Sequence, residues 1–310
     1  MTKAMDSSLC PLCAGASRPA LRARDRNRAI TDERFLYERC GDCGTLFLAD
    51  VPADLPRYYG GGYYPFDHEG RPLWRGNQLR ELAESDRVGR LREHVRPGRL
   101  IDVGAGTGGF SAAARAAGFE VTAVEMDARC CAYIEAELGV AAMHSDDPIR
   151  ALAELPSARA ITFWHVLEHL PDPLAVLRAA IEKLDAGGVL AVAVPNMRSL
   201  QFRLLRARWA HLDAPRHLML APPEAIAEQM QELGMSCLTR FTDDLDGREC
   251  DLFGWLGALR LRPANGPAPE RVQMAAFALR RLAAPIERRG LRGTAITLLF
   301  GTYLDRGAHL

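Results

Sequence analysis

The chain has no net charge, very little lysine and no long apolar run. Its 39 basic residues balance 39 acidic residues, and lysine occurs at only two positions, so nothing in the charge indicates a nucleic-acid or membrane surface. No apolar run reaches the roughly 18 residues that cross a bilayer. The first residues contain no signal-peptide core. These absences predict a cytoplasmic protein without a membrane span, and they leave its oligomeric state open.

Four of the eight cysteines form two pairs with the spacing of a zinc ribbon. Cys10-x-x-Cys13 and Cys40-x-x-Cys43 each place two sulfurs on one side of a metal, as a four-thiolate zinc site requires. Such a site leaves no position for water, so the zinc would be structural. The alternative is two disulfides or unligated thiols. Three further cysteines are expected to be small buried hydrophobic residues: Cys130, Cys131 and Cys237.

The most informative segment is a strand that feeds a glycine-rich turn and then a helix, at residues 100–117. Asp102 precedes the glycines, and Glu125 ends the next apolar strand. Gly104 and Gly106 allow the backbone to approach a ligand closely, and an acidic side chain at a strand end accepts hydrogen bonds from both ribose hydroxyls. The unit is therefore expected to bind a nucleoside.

The same glycines also fit the dinucleotide pattern G-x-G-x-x-G, so NAD is an alternative. Asp102 argues against NAD, because a pyrophosphate would meet its negative charge, whereas the ammonium group of S-adenosylmethionine (SAM) would be attracted to it. The run Asp-x-Gly-x-Gly-x-Gly at residues 102–108, followed by Glu125, resembles the class I SAM-dependent methyltransferases. This resemblance implies SAM as the cofactor and S-adenosylhomocysteine (SAH) as its product.

Strands and helices alternate over residues 96–310, which predicts an α/β domain with a doubly wound, Rossmann-like sheet. Seven strands are expected, as in the methyltransferase fold. The last, near 295–300, follows a helical insertion at about 251–290 and suits that fold's antiparallel seventh strand. Residues 1–50 are expected to form the small zinc ribbon.

Residues 51–95 are expected to form a Tyr/Gly-rich connector followed by a helix. The tyrosines at 58–64 are interpreted as packing groups of a linker, or alternatively as a lid over the cofactor or substrate pocket. The helix over 74–95 is expected to bury a stripe of apolar residues: Leu79, Leu82, Val88 and Leu91.

Two polar segments follow strands of the large domain. The first contains His165, Glu168 and His169 directly after the fourth strand. Carboxyl ends of parallel strands form the ligand crevice of an open α/β sheet, and one helical turn would place these three side chains on one face. The second segment is His211–Leu218. His217 within it is a candidate base, because the preceding proline and arginine would hold its loop near the pocket mouth.

The segments HVLEHLPDP, GGVLAVAVPN and HLDAPRHL together resemble bacterial class I methyltransferases related to the ubiquinone-biosynthesis O-methyltransferases, over about residues 8–240. Many members of that family begin with a zinc ribbon. In the ubiquinone enzymes Glu-x-x-Glu-His binds a divalent cation, but here His165 stands at the first position, which leaves such a cation open. The resemblance implies contacts with each part of SAM. They are Asp102, Gly104, Ala105 and Gly106 for the methionine part, Glu125 for the ribose, Met126 against the adenine, and Asp146 or its neighbour Asp147 at the adenine amino group. Asp127 is expected among the remaining contacts, and His165 is expected beside the sulfonium.

The candidate catalytic residues are His217, His165, Glu168 and His169. Because the sulfonium carries the reactivity, the protein mainly aligns the acceptor and excludes water. A hydroxyl or acidic carbon also needs a base of near-neutral pKa, which histidine provides. The simpler alternatives are His165 as a pocket wall and His169 as a backbone-bonding residue near a helix end.

The leading interpretation is a methyltransferase acting on a small molecule, with a hydroxyl as the expected acceptor and His217 or His165 as the base. C-methylation of a nucleotide-linked sugar and N-methylation of an amine or peptide are the enzymatic alternatives. A non-catalytic protein whose ribbon recruits a partner is a further one. Nucleic acid is not expected, since the arginines at 22–28 are interspersed with acidic residues.

Overall fold

The structure, a computed structural model, describes residues 9–60, 64, 66, 72, 75–259 and 268–302. Within these residues the apolar runs form strands, and those at the centre of the large sheet are buried on both faces, as in parallel sheets covered by helices. The strands in chain order are β1 (Ser17–Arg24), β2 (Arg34–Cys40), β3 (Leu46–Leu48), β4 (Arg99–Val103), β5 (Glu120–Glu125), β6 (Ala141–His144), β7 (Ala158–Trp164), β8 (Leu184–Pro195), β9 (Met219–Leu220), β10 (Met235–Phe241) and β11 (Ala295–Thr302).

Several helices begin at an aspartate that accepts hydrogen bonds from the free N–H groups of the first turn, namely Asp127, Asp147 and Asp172. Short 3-10 turns lie at Leu55–Tyr59, Leu167–His169, Arg206–Arg208 and Ala210–Leu212. The α-helices are α1 (Gln78–Arg92), α2 (Gly109–Ala116), α3 (Ala128–Leu138), α4 (Pro148–Glu154), α5 (Pro173–Glu182), α6 (Leu200–Leu205), α7 (Pro223–Glu232), α8 (Leu245–Leu259) and α9 (Glu270–Glu287).

The large sheet has seven strands in the order β10-β11-β8-β7-β4-β5-β6. The strands from β4 to β8 run parallel, whereas β11 lies antiparallel between β8 and β10. This arrangement confirms the doubly wound sheet and the antiparallel last strand. The strand order reverses between β4 and β7, so a crevice opens at their carboxyl ends.

Apolar layers cover both faces of this sheet. One layer contains Leu152, Leu177 and Ile226 from α4, α5 and α7. The opposite layer contains Phe110 and Ile134 from α2 and α3. Each buried side chain of this size contributes about 1.5–3 kcal/mol to folding. The two layers hold the strand ends that carry the polar residues in register.

A second, four-stranded sheet has the order β1-β2-β3-β9 and joins the N-terminal segment to the large domain. β3 pairs with β9, which lies far beyond the expected module boundary at residue 50. β1 was not among the expected strands, because its sequence, SRPALRAR, is rich in arginine and mostly solvent-facing. The cysteine-rich segment is therefore an integral layer of the fold.

Three side chains that were expected to be buried are exposed. Val88 and Leu91 are buried in α1 as expected, but Leu79 and Leu82 are exposed, and Ala83 is buried with the first two. Cys237 is also exposed, on the edge strand β10, whereas Cys130 and Cys131 are buried as expected.

The helical insertion begins earlier than expected, with α8 at Leu245, and residues 260–267 within it lie outside the described residues. Among the helices that the structure describes, none combines the length and apolarity that a bilayer span requires.

Candidate active site

The glycine turn after β4 forms one wall of a cavity. Gly104 and Gly106 have φ angles of +72° and +56°, a backbone region that favours glycine. The Gly104 N–H donates to the Val124 carbonyl at 2.8 Å. A Cβ atom at Gly104 would lie 2.4 Å from Val166 Cγ2. Both the conformation and the space therefore require glycine at residue 104.

Glu125 ends β5 with its carboxylate turned back onto this turn. Its Oε2 accepts from the Gly106 N–H at 2.7 Å, and its Oε1 accepts from the Met126 and Asp127 N–H groups at 2.8 and 2.9 Å. The Tyr64 hydroxyl donates to both oxygens at 3.1 and 3.2 Å. Burial raises the pKa of Glu125, and these donors counteract the increase. The carboxylate is thus held in a fixed orientation at the cavity wall.

Asp102 lines the same cavity near the end of β4, and only 1% of its surface is exposed. Its oxygens accept from the Ser111 hydroxyl at 2.6 Å and from the Thr162 hydroxyl at 2.8 Å. Burial raises the pKa of Asp102 to about 6, although these two hydroxyls act in the opposite direction. A cationic ligand group would stabilise its ionised form.

The cavity has a volume of about 480 Å³, within the usual range of small-molecule sites. Two expected residues lie elsewhere: the Asp127 carboxylate caps α3, and the Asp147 carboxylate caps α4. Tyr59 and Tyr64 also line the cavity, as the lid interpretation anticipated, whereas Tyr63 lies outside the described residues. The expected cofactor-binding residues that line it are Asp102, Gly104, Ala105, Gly106, Glu125, Met126, Asp146 and His165.

His165 lines the same cavity from the end of β7 and has a φ of +58°. Its Nε2 lies 3.2 Å from Asp246 Oδ2, and its Nδ1 lies 3.6 Å from Glu168 Oε1. Burial alone would lower the pKa of His165, but interactions with Asp246, Cys250 and Glu168 hold it well above its usual value. Sequence reasoning missed Asp246, because no motif marks the start of α8.

Glu168, His169 and His217 form a second cluster next to His165. One potential ligand atom from each of the three lies within 4.8 Å of the others. Neither Glu168 oxygen has a hydrogen-bond partner among the described residues, although the side chain is buried. His169 lines the cavity together with His165, whereas Glu168 and His217 lie behind that wall.

The two histidines of this cluster are oriented by backbone carbonyls. His169 Nδ1 lies 3.1 Å from the Arg216 carbonyl oxygen, and His217 Nδ1 lies 2.9 Å from the His211 carbonyl oxygen. Since a carbonyl only accepts, these contacts assign a proton to each Nδ1; at His169 the Tyr59 hydroxyl also lies 3.0 Å from Nδ1 and donates to the same Arg216 carbonyl at 3.2 Å. Burial lowers the pKa of His169 to about 4, so its ring is neutral.

The four N-terminal cysteines also converge. Cys10 Sγ lies 3.6 Å from Cys43 Sγ, and Cys13 Sγ lies 3.5 Å from Cys40 Sγ. These separations are too long for disulfide bonds of about 2.05 Å. They are close to the roughly 3.8 Å that separates sulfurs on a tetrahedral zinc with bonds of about 2.3 Å. The donor set therefore fits a zinc ion.

A protein-family match covers most of the residues that form this cavity. A family model described as a methyltransferase domain matches residues 66–239, which is more than half of the chain. The matched region contains the glycine turn, Glu125 and both histidine segments.

Individual relatives match over shorter stretches. A ubiquinone biosynthesis O-methyltransferase of Xanthomonas campestris pv. campestris is 31% identical over 111 residues, covering 34% of this chain and 46% of the relative. One from Azotobacter vinelandii is 33% identical over 137 residues, covering 42% and 56%. The chain thus spans about half the length of the curated relatives it matches. A solved SAM-dependent methyltransferase from Archaeoglobus fulgidus is 20% identical, with 72% and 94% coverage and a TM-score of 0.47.

Proposed function

Because the chain belongs to the methyltransferase-domain family and is a SAM-dependent methyltransferase, we propose that it methylates a hydroxyl group of a small molecule. One observation carries the proposal: Glu125 and Asp102 line the same cavity as His165 and His169. The two carboxylates suit the ribose and the ammonium group of SAM. The histidines face the remaining volume, where an acceptor would lie.

The residues of the glycine turn fit the cofactor well. Gly106 lies under Tyr64, and a Cβ atom there would lie 3.3 Å from the tyrosine ring. The Tyr64 hydroxyl now donates to both Glu125 oxygens, so ribose hydroxyls that bind this carboxylate would take the place of Tyr64. When bound, SAM supplies an electrophilic methyl group on a sulfonium. The chain supplies the orientation of the two reactants.

His165 is the better supported of the two candidate bases. It lines the cavity, whereas His217 lies behind His169, at a ring-centroid distance of 4.6 Å. Asp246 and Glu168 lie against the two ring nitrogens of His165 and raise its pKa, so the ring has to lose a proton before it can accept one from a hydroxyl. Asp246 also pairs with Arg87, so it is held in place beside the ring.

A divalent cation at Glu168, His169 and His217 is a further part of the proposal. Two imidazoles and a carboxylate are a common ligand set for transition metals. The Glu168 carboxylate supports it, because it is buried without a short hydrogen bond, and its Oε1 lies 3.6 Å from His165 Nδ1 and 4.0 Å from His217 Nε2. The carbonyl partners of each Nδ1 leave Nε2 available, as in other metal-ligating histidines.

Structural zinc at the four cysteines completes the proposal. A set of four cysteine thiolates binds zinc without an open position, so this ion would take no part in methyl transfer. Its contribution would be to the fold of the N-terminal sheet.

The test is a panel of phenols, alcohols, amines and carbon acids offered with methyl-13C SAM. SAH release reports turnover, and heteronuclear NMR shows whether the label is bound to oxygen, nitrogen or carbon. Transfer to oxygen supports the proposal, and label found only on nitrogen or carbon would overturn its O-directed part.

The role of His165 is tested with the acceptor so identified. His165→Gln is expected to lower kcat by about 100-fold or more while SAH affinity stays within about twofold. His94→Gln is the matched control, because His94 is exposed at the end of α1. Unchanged turnover in His165→Gln would rule His165 out as the base.

A further inference from the structure

The N-terminal module, residues 9–48, contacts the loop that orients the acceptor-side histidines. This loop, residues 209–220, carries His217 and the Arg216 carbonyl to which His169 donates. We propose that Asp25 and Tyr37 are positioning residues: through this loop they hold His169 and His217 in place, so the module is part of the active-site framework. The proposal rests on the proposed function for its catalytic meaning.

A buried ion pair connects the module to the loop. The Asp25 side chain is fully buried and accepts from Arg216 Nη2 at 3.0 Å. Arg216 also donates twice to Asp213, at 2.6 and 2.8 Å. Asp25 is itself held by the Arg28 and Ile30 N–H groups. A guanidinium with all these partners fixes the path of the Arg216 backbone, and hence its carbonyl.

Tyr37 provides a second, independent connection. It lies on β2, is fully buried, and its hydroxyl donates to the His217 carbonyl at 2.8 Å. The His217 ring is in turn oriented by the His211 carbonyl of the same loop. The hydroxyl therefore fixes the backbone of the residue whose side chain joins Glu168 and His169.

The backbone ladder continues from the module to Glu168. The Leu48 N–H donates to the Leu218 carbonyl at 2.8 Å, and the Leu218 N–H donates to the Glu168 carbonyl at 2.7 Å. β3, which carries Leu48, starts shortly after Cys43, and β2 ends at Cys40. Three contacts of different kinds thus run from the module to this loop, from Asp25 directly after β1, from Tyr37 on β2 and from Leu48 on β3.

The experiment uses the full chain, loaded with zinc and saturated with SAH, with 15N-labelled histidine. Two-bond 1H–15N spectra report which ring nitrogen carries the proton. In the unmodified protein, His169 and His217 are expected in the Nδ1–H form. Asp25→Asn and Tyr37→Phe are expected to replace these signals with a mixture of tautomers, Asp25→Asn mainly at His169 and Tyr37→Phe mainly at His217.

Asp32→Asn is the matched control, because Asp32 is an exposed residue of the same module. It should leave both histidine signals unchanged, and all three variants should bind SAH within about twofold of the parent. If Asp25→Asn does not fold, Tyr37→Phe decides alone. Unaltered His169 and His217 signals in the folded variants would overturn the proposal. Failure of O-methylation with altered signals would instead overturn only the proposed function.

Discussion

The cavity has two sides that are built in different ways. The proposed cofactor side centres on one strand–helix–strand unit, β4 to β5, which joins Gly106 to Glu125, although Thr162 and Tyr64 donate to its carboxylates from more distant segments. The acceptor side is assembled from distant segments that meet only in the folded chain, such as Asp25 with Arg216 and His165 with Asp246. The geometry of the cofactor side should tolerate changes elsewhere in the molecule, whereas the geometry of the acceptor side should depend on several packing contacts at once.

The two sides also differ in how their buried carboxylates are satisfied. Asp102 and Glu125 each receive hydrogen bonds to both oxygens. Glu168 receives none from the described residues. A carboxylate with short hydrogen bonds to both oxygens is preorganised for its ligand, whereas Glu168 depends on longer-range neighbours, such as the His165 ring 3.6 Å away, to offset its burial. The comparison indicates that the carboxylates of the proposed cofactor side are held more rigidly than Glu168.

The largest effect is expected from a variant that disturbs the acceptor side through the N-terminal zinc site. Cys10→Ser together with Cys40→Ser should abolish zinc binding and lower the melting temperature by roughly 10 °C, because ligand loss removes metal-linked folding energy. Metal analysis and calorimetry measure both quantities. The histidine signals of the acceptor side should change while SAH affinity stays close to that of the parent.

Cys237→Ser serves as the control for this variant, since Cys237 is exposed on β10. Retention of one zinc per chain in the double variant would contradict the assignment of the metal site.

A second variant should disable the cofactor side alone. Glu125→Ala removes the ribose acceptor and leaves three backbone N–H groups without a partner. SAH affinity is expected to fall by about 100-fold, or about 2.7 kcal/mol, as measured by calorimetry. Glu120→Ala, at the exposed start of the same strand, should bind SAH normally. Equal affinities of the two variants would show that the ribose lies elsewhere.

The pH dependence of stability and of SAH affinity tests the role of Asp102 on the cofactor side. Because burial raises its folded pKa to about 6, ionised Asp102 destabilises the fold above that pH, and the penalty disappears as the pH falls towards its unfolded value of 3.8. Ligand binding should respond in the opposite sense. SAH affinity is expected to fall up to about tenfold per pH unit below pH 6, since the ligand's ammonium group favours the ionised carboxylate.

Asp102→Asn isolates this contribution, because its side chain does not titrate. Calorimetry between pH 5 and pH 8 should give a shallower dependence for Asp102→Asn than for the parent. Parallel curves would mean that another group causes the change.

The smallest expected effect concerns the glycine turn. Gly104→Ala forces a φ of +72° on alanine and brings its Cβ against Val166, so SAH affinity should fall about fivefold, or about 1 kcal/mol. Gly89→Ala lies inside α1, where a Cβ meets no atom within 4 Å. That control should instead raise the free energy of unfolding by about 0.5–1 kcal/mol. Denaturant titration and calorimetry distinguish the two outcomes.

The glycine turn and the strand-end carboxylate could be anticipated from sequence because their determinants are local. Asp102, the glycines and Glu125 stand at fixed spacing on one supersecondary unit, and glycine is needed where φ is positive. The sheet was predictable for the same reason, since apolar strands alternate with capped helices. The arginine-rich strand β1 was missed, because half-exposed edge strands carry a weak hydrophobic pattern.

The acceptor side was only partly visible in the sequence. The spacing of His165, Glu168 and His169 marked them as candidates, but nothing in the sequence pairs His165 with Asp246. The role of Asp25 is likewise invisible, because its partner Arg216 is distant in the chain and in another layer of the fold.

Local sequence patterns were enough to predict the sheet, the cysteine pairs and the strand–turn–helix unit that lines the cavity, because backbone conformation and periodic burial are local properties of the chain. The folded structure was needed to show that His165 lines the cavity while His217 lies behind His169, and that the N-terminal sheet includes β9. These arrangements depend on how separate layers pack, and packing between residues far apart in the chain leaves no pattern in the order of the amino acids.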